Sequence, residues 1–269
     1  MEHRILLTMV EGVADVRLDR PAKMNAIDPA MFWHLAEVGA RLKEDRSLRA
    51  GVLSGEGRMF CAGIDVEFLA TLSQGGRLFP FADLSQRSHG LANWVQHVVW
   101  QWRELPVPVI AAVHGGALGG GFQLALGADL RYVAPGATFS ILEAKWGLVP
   151  DMAGTQLMRH LAREDIVREL TYTARTFSAE EALNYGFASR VVEDPREAAM
   201  ATAREIAAKS PDAIRAAKRL LNTAVVCAPG EGLMAEAEAQ WRLLGGANQI
   251  EAVRANLAQR APQFLDPVA

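Results

Sequence analysis

Residues 107–126 open with an apolar run, Val107-Pro108-Val109-Ile110-Ala111-Ala112-Val113. They pass through His114 into Gly115-Gly116-Ala117-Leu118-Gly119-Gly120-Gly121, and resume as Phe122-Gln123-Leu124-Ala125-Leu126. The first run has the length of a buried strand and falls far short of the ~20 residues a bilayer span needs. The residues after the glycines read as helix. Glycine allows positive φ and close passage of backbone past a ligand, and a helix start leaves N–H donors without internal partners. The loop is not a Walker phosphate loop, because no Gly-Lys-Ser/Thr follows. It is a poor dinucleotide fingerprint, since no acidic residue is clearly placed ~20 residues later at a strand end.

A second loop of the same kind lies upstream. Leu48 to Leu53 is a short apolar strand candidate ended by Ser54-Gly55, and Phe60-Cys61-Ala62-Gly63-Ile64-Asp65 leads into a brief helical piece. Two N–H groups aimed at one point make an oxyanion hole; turns are the alternative use of the same glycines. Before this loop, Ile5 to Val10 and Ala14 to Leu18, joined at Glu11-Gly12, read as a β-hairpin. Asp28 reads as the N-cap of a helix with Pro29 in its first turn and Met31, Phe32, Leu35 and Val38 at helical spacing.

Residues 71–87, with Gly75-Gly76 and Pro80, have no periodicity and read as a mobile surface segment. Helices are expected over about 89–104, 151–160, 163–173, 179–185, 195–209, 211–225, 232–244 and 248–259, with a short strand at 131–133. Strands and helices alternate over residues 1–190, as in α/β proteins with a parallel sheet, whereas 191–269 are nearly all helical. The expected division is a core followed by a helical C-terminal region; helices that simply cover a sheet face are the alternative.

The 269 residues are half hydrophobic and 22% charged, a globular composition. The net charge of −3, with no Lys/Arg-rich run, argues against nucleic acid as a partner. The two cysteines, Cys61 and Cys227, form neither a metal spacing nor a disulfide framework, and Cys61 reads as small buried packing. His114 has no neighbouring ligand cluster, so no metal site is expected. No signal peptide is evident, and the expected location is the cytoplasm, with no membrane association. Trp33, Trp94, Trp100 and Trp102 read as core.

Several stretches, in order along the chain, resemble the crotonase (enoyl-CoA hydratase/isomerase) superfamily. They are Arg20-Pro21-Ala22-Lys23-Met24-Asn25-Ala26, Phe60 to Asp65, Val109 to Leu126, Phe139 to Gln156, Phe177-Ser178-Ala179-Glu180-Glu181-Ala182, Gly186-Phe187-Ala188 and Ala217-Lys218-Arg219-Leu220-Leu221. The resemblance implies an α/β fold of ββα units wound into a spiral, with C-terminal helices assembling a homotrimer or a dimer of trimers. It implies an acyl-CoA thioester as substrate, with coenzyme A part of that substrate and no separate cofactor. The thioester carbonyl would accept hydrogen bonds from the N–H groups at the positions of Ile64 and Gly120, stabilising an enolate. Lys23, Met24, Ala26, Ala62, Asp65 and Val66 match the positions that meet CoA, and residues 71–87 would line the acyl pocket.

The family's hydratases carry one glutamate three residues beyond the oxyanion glycine and another 20 further on. Those places hold Gln123 and Glu143. Glutamine gives and takes no proton at neutral pH but orients water or substrate by hydrogen bonds. Asp151, eight residues after Glu143, matches an aspartate of dienoyl-CoA isomerases and the nucleophile of dehalogenase-type relatives. With Gln123 in an orienting role, Glu143 and Asp151 are the expected acid/base pair for double-bond isomerisation. Capping of the following helix is the plain alternative for Asp151. Hydration by Glu143 alone and non-catalytic acyl-CoA binding remain open, and RNA binding is disfavoured by the charge. A dehalogenase role for Asp151 would need a histidine base, and His97 is one residue from the matching place, Gln96.

Overall fold

The structure is a computed structural model that describes residues 3–74 and 83–267. It begins with β1 (Ile5–Val10) and β2 (Val13–Leu18), the expected antiparallel hairpin. Next comes α1 (Pro29–Glu44), capped by Asp28, whose Oδ1 accepts the N–H of Met31 at 2.8 Å. Then follow β3 (Ala50–Gly55), α2 (Val66–Ser73), α3 (Trp94–Glu104), β4 (Val109–Val113), β5 (Gly116–Leu118), α4 (Gly120–Leu126), β6 (Leu130–Val133) and β7 (Thr138–Ser140). The later elements are α5 (Gly154–Met158), α6 (Glu164–Thr173), β8 (Phe177–Ser178), α7 (Ala179–Tyr185), β9 (Arg190–Val191), α8 (Pro195–Ala207), α9 (Pro211–Ala224), α10 (Pro229–Leu243) and α11 (Ala247–Leu257).

Six strands form one sheet in the order β1-β2-β3-β4-β6-β9, parallel throughout except for the hairpin. A second sheet holds β5, β7 and β8. Side chains alternate across a strand. Leu53, Val109 and Ala111 therefore face the main core with Met31, Leu35, Val98, Val99 and Trp102 from α1 and α3. Val52, Ile110 and Ala112 face the other way, where α8 covers them with Ala199, Met200 and Ala203. A strand buried on both faces reads as a continuous apolar run, which is why Val107 to Val113 was legible as a strand.

Several expectations shift. The helix expected from residue 89 starts at Trp94, because Asn93 and Gln96 form a reciprocal cap and His89–Ala92 closes a tight turn before it. Residues 116–118, read as loop, are a short strand paired with β7. The helix expected over 151–160 contracts to α5. Trp94 and Trp102 are buried, but Trp33 is 42% exposed on the flank of α1, so it is not core. Within residues 71–87, the stretch holding Gly75-Gly76 and Pro80 lies outside the described residues. Among the described residues no helix is long and apolar enough to cross a membrane, and no His/Cys/Asp/Glu group suits a metal ion.

One buried cation ties the C-terminal helices to the sheet. Lys218 Nζ, on α9, donates to Trp102 O at 3.0 Å, Val107 O at 2.8 Å and Asp129 Oδ2 at 2.8 Å. The same Asp129 oxygen accepts the N–H of Val109 at 2.7 Å, so α3, β4 and α9 converge on one charge pair. Lys218→Met leaves two carbonyls and a carboxylate without their donor. It should lower unfolding stability by about 3 kcal/mol, read as a shifted urea midpoint at unchanged slope.

Candidate active site

The two glycine loops are zipped together by backbone. Phe60 N–H donates to His114 O at 2.9 Å, Cys61 N–H to Gly116 O at 3.3 Å, and Leu118 N–H to Cys61 O at 3.0 Å. On its other side the first loop pairs with Ile27: Ile27 N–H donates to Gly63 O at 2.7 Å and Asp65 N–H to Ile27 O at 3.0 Å. In such a parallel bridge the flanked residue, Ile64, turns its own N–H to the opposite side. Gly63 has φ +90°, and a Cβ there would lie 2.6 Å from Leu118 O and 3.5 Å from Gly120 N. Glycine is therefore what lets the loops meet. Gly120 is the first residue of α4, where N–H groups lack intrahelical acceptors. The structure thus brings Ile64 and Gly120 to one place.

Glu143 begins a 3-10 turn, Glu143–Trp146, just after β7, and is buried. A Cβ on Gly119 would lie 3.4 Å from Glu143 Oε1, so the carboxylate sits directly beside the loop junction. Gln123, one turn into α4 and 1% exposed, reaches it: Nε2 donates to Glu143 Oε1 at 2.6 Å. Its Oε1 accepts the N–H of Met152 at 2.8 Å and of Gly154 at 2.9 Å. Asp151 does not cap α5. Ala153, in the left-handed conformation at φ 64°, precedes that helix without a side-chain cap, and the acceptor that a capping aspartate would supply comes from Gln123.

A cavity of about 760 Å³ opens beside the junction, walled by Phe32, Ile64, Phe68, Leu72, Val149 and Met152, with Asp151 its one carboxylate among the described residues. Leu72, Ser73 and Leu84 bring both described ends of the 71–87 segment to its wall. Glu143 is not on that wall. Met152 is 1% exposed, with its Sδ 2.8 Å from where a Cβ on Gly120 would sit, and this thioether stands between cavity and junction.

The sequence profile of the enoyl-CoA hydratase/isomerase family matches residues 8–267. The chain belongs to the enoyl-CoA hydratase/isomerase family. It is 37% identical to the mitochondrial Delta(3,5)-Delta(2,4)-dienoyl-CoA isomerase of Homo sapiens over 77% of this chain, and spans 64% of that protein's length. It is 34% identical to the carnitinyl-CoA dehydratase of Proteus mirabilis, over 98% of this chain and 99% of the dehydratase. The crystal structure of an enoyl-CoA hydratase from Bacillus anthracis superposes with a TM-score of 0.87 at 27% identity, covering 98% of this chain and all of that one. The crotonase-like fold expected from the sequence is thereby shown.

In this enoyl-CoA hydratase/isomerase family member, burial raises the pKa of Glu143; its hydrogen bonds oppose the rise, and the charge of Asp151 adds to it. Asp151 is raised as well, by desolvation. Its exposed surface faces the apolar-walled cavity, which withholds water from the carboxyl. Cys61 is fully buried, donates Sγ–H to Asn25 O at 3.1 Å, and is pushed up to about 12, as inert packing requires. His97 stacks on His89 at 3.9 Å and lines a separate cavity between α1 and α3, so neither histidine meets Asp151. Burial pushes His97 down to about 4.

Of the CoA candidates, Met24, Ala26 and Ala62 cluster where Ala62 N–H donates to Met24 O at 2.9 Å, and Val66 is exposed at the cavity. Lys23 is paired with Glu67 at 2.6 Å in an exposed ion pair. The Asp65 carboxylate is committed: it caps α2 through Glu67 and Phe68 N–H and pairs with Arg20. Sequence reasoning missed Arg20, which also donates to Ala26 O, and Asn25, whose Nδ2 donates to Glu56 O and Met59 O. Both lie inside the Arg20–Ala26 stretch already singled out. It also missed Met152.

A reaction that needs ionised Glu143 loses rate as pH falls through its raised pKa. The acidic limb of kcat/KM should therefore lie above 4.5, the ordinary glutamate value, and vanish in Glu143→Gln.

Proposed function

We propose that the protein isomerises an unsaturated acyl-CoA, moving a conjugated diene along the acyl chain, with Glu143 and Asp151 as its two proton-transfer groups. The observation that carries this reading is the distribution of carboxyls: Glu143 lies beside the Ile64–Gly120 junction, Asp151 lies on the acyl cavity, and an amide stands where a second glutamate would be.

The thioester oxygen accepts from Ile64 and Gly120 N–H, where one oxyanion donor is typically worth about 3 kcal/mol. Glu143 takes the C2 proton of a 3,5-dienoyl thioester. The electron pair moves into the thioester as an enolate conjugated through C6. Asp151 gives its proton to C6, and the enolate returns its pair to form the 2,4-diene. Glu143 then holds the proton and Asp151 the charge, and exchange with solvent restores both. The raised pKa of Asp151 favours the protonated donor that this step needs. Met152 has to turn aside for the thioester to reach Glu143, a motion its unbranched side chain allows.

The likeness to a carnitinyl-CoA dehydratase along nearly the whole chain supports a second reading, addition or loss of water by Glu143 alone. NMR in D2O with a 3,5-dienoyl-CoA, crotonyl-CoA and carnitinyl-CoA separates the two. Diene movement with deuterium at C6, and a loss of at least about 100-fold in both Glu143→Gln and Asp151→Asn, is expected for isomerisation. Water addition or loss that survives Asp151→Asn would replace it with the second reading. CoA-thioester binding without turnover of any substrate would remove both.

The C-terminal helices also support assembly. Leu221, Trp241 and Leu257 are 71%, 79% and 82% exposed, with Leu233 and Met234 similarly open, large apolar side chains that a partner subunit would cover. A homotrimer that buries these side chains is the proposed form. Light scattering should give three subunits for the native chain, or six if trimers pair, and a monomer for Trp241→Glu combined with Leu257→Glu.

A further inference from the structure

We infer that Gln123 is a positioning residue rather than a substrate-contacting one: a single buried carboxamide fixes Glu143 with one face and the backbone beneath Asp151 with the other, leaving Oε2 as the unheld oxygen of the Glu143 carboxyl. The inference rests on the proposed use of Glu143 and Asp151 as proton carriers.

The orientation of the amide is set by its surroundings. Two backbone N–H groups, from Met152 and Gly154, converge on one atom, which must be the carbonyl oxygen. The nitrogen is thereby turned to Glu143, where it donates at 2.6 Å. With both acceptor positions occupied and one N–H spent, the carboxamide has no carbonyl left for a substrate or a nucleophilic water. The side chain is 1% exposed and does not belong to the cavity wall. Gly154 leaves the room that this fit needs: a Cβ there would lie 2.8 Å from the Gln123 amide carbon.

The two oxygens of Glu143 become unequal as a result. Oε1 is held by Gln123, while Oε2 is buried with no hydrogen-bond partner among the described residues. A donated hydrogen bond stabilises the carboxylate against burial, so Gln123 also moderates the basicity of Glu143. On the other face, the bonds to Met152 and Gly154 pin the chain on both sides of Ala153, and Asp151 is the residue next to this clamp. Position 123 therefore couples the two carboxylates mechanically without carrying a proton.

Two substitutions separate the two faces. Gln123→Glu keeps an acceptor for the two N–H groups but sets a carboxyl against Glu143 in place of a donor. Gln123→Met, of similar length, removes both. In Gln123→Glu, kcat should fall about 10- to 100-fold with KM changed by less than about threefold, and the acidic limb should move to higher pH, the size of loss usual when a group orienting a reacting residue is removed. Gln123→Met should lose a similar factor in kcat and in addition lose the dependence of rate on Asp151, so that adding Asp151→Asn costs less than it does in the native chain.

A reading independent of any substrate is the infrared titration of the Glu143 carboxyl, isolated as the difference from Glu143→Gln. Its midpoint should rise in both variants, even if the dienoyl substrate is wrong. Unchanged midpoint and unchanged kcat in Gln123→Glu would falsify the assignment. So would a loss confined to melting temperature and KM, which marks Gln123 as packing only. Absence of diene movement with a shifted midpoint instead counts against the proposed reaction and leaves the positioning role standing.

Discussion

The backbone hydrogen bonds that join Phe60 and Cys61 to residues 114–118 are the constraint on which the site is hung. They carry no side-chain chemistry. They fix the offset between the ends of β3 and β4, two adjacent parallel strands, so that Ile64 and the start of α4 arrive together. Parallel strands all leave the sheet at the same end, and loops from neighbouring strands naturally meet there. Gly63 with its positive φ permits the close approach, and the Ile27 bridge on the far side keeps the loop from swinging back.

From that junction the remaining groups follow by attachment. β7 pairs with β5, so the turn carrying Glu143 is set against Gly119. Gln123 then links that turn to the segment that carries Asp151 and Met152. The chain makes these connections across sequence separations of 20 to 31 residues, through one side chain. A polar network of this kind is stable in a low-dielectric interior because nearly every atom in it is paired. The exception is Glu143 Oε2.

Much of the fold was legible because its signals are local. Asp28 before Pro29, and Ser178 with Glu181 three residues on, mark helix starts by chemistry contained in a few residues. Strand positions of β3 and β4 were legible because burial on both faces leaves no room for polar residues. The failures have the opposite character. Capping, the plain alternative for Asp151, is removed only when the distant Gln123 is found supplying the acceptor. Trp33 sits at helical spacing near core residues yet faces out, since spacing gives a stripe but not its edge. The strand β5 has glycine-rich sequence and depends on β7 for its pairing, which no local pattern encodes. Gln123 and Glu143 were recognisable as a pair only through family resemblance. Which atom of the glutamine meets which partner is a three-dimensional fact.

Met152 helps to keep the interior dry beside the loop junction. A carboxyl beside an open, solvated cleft would carry a hydration shell that each arriving ligand had to strip away. Here a thioether already stands beside Gly120, and Glu143 Oε2 is shut off from solvent. The work of dehydrating that carboxyl is done once, when the chain folds, and does not recur with each ligand that arrives.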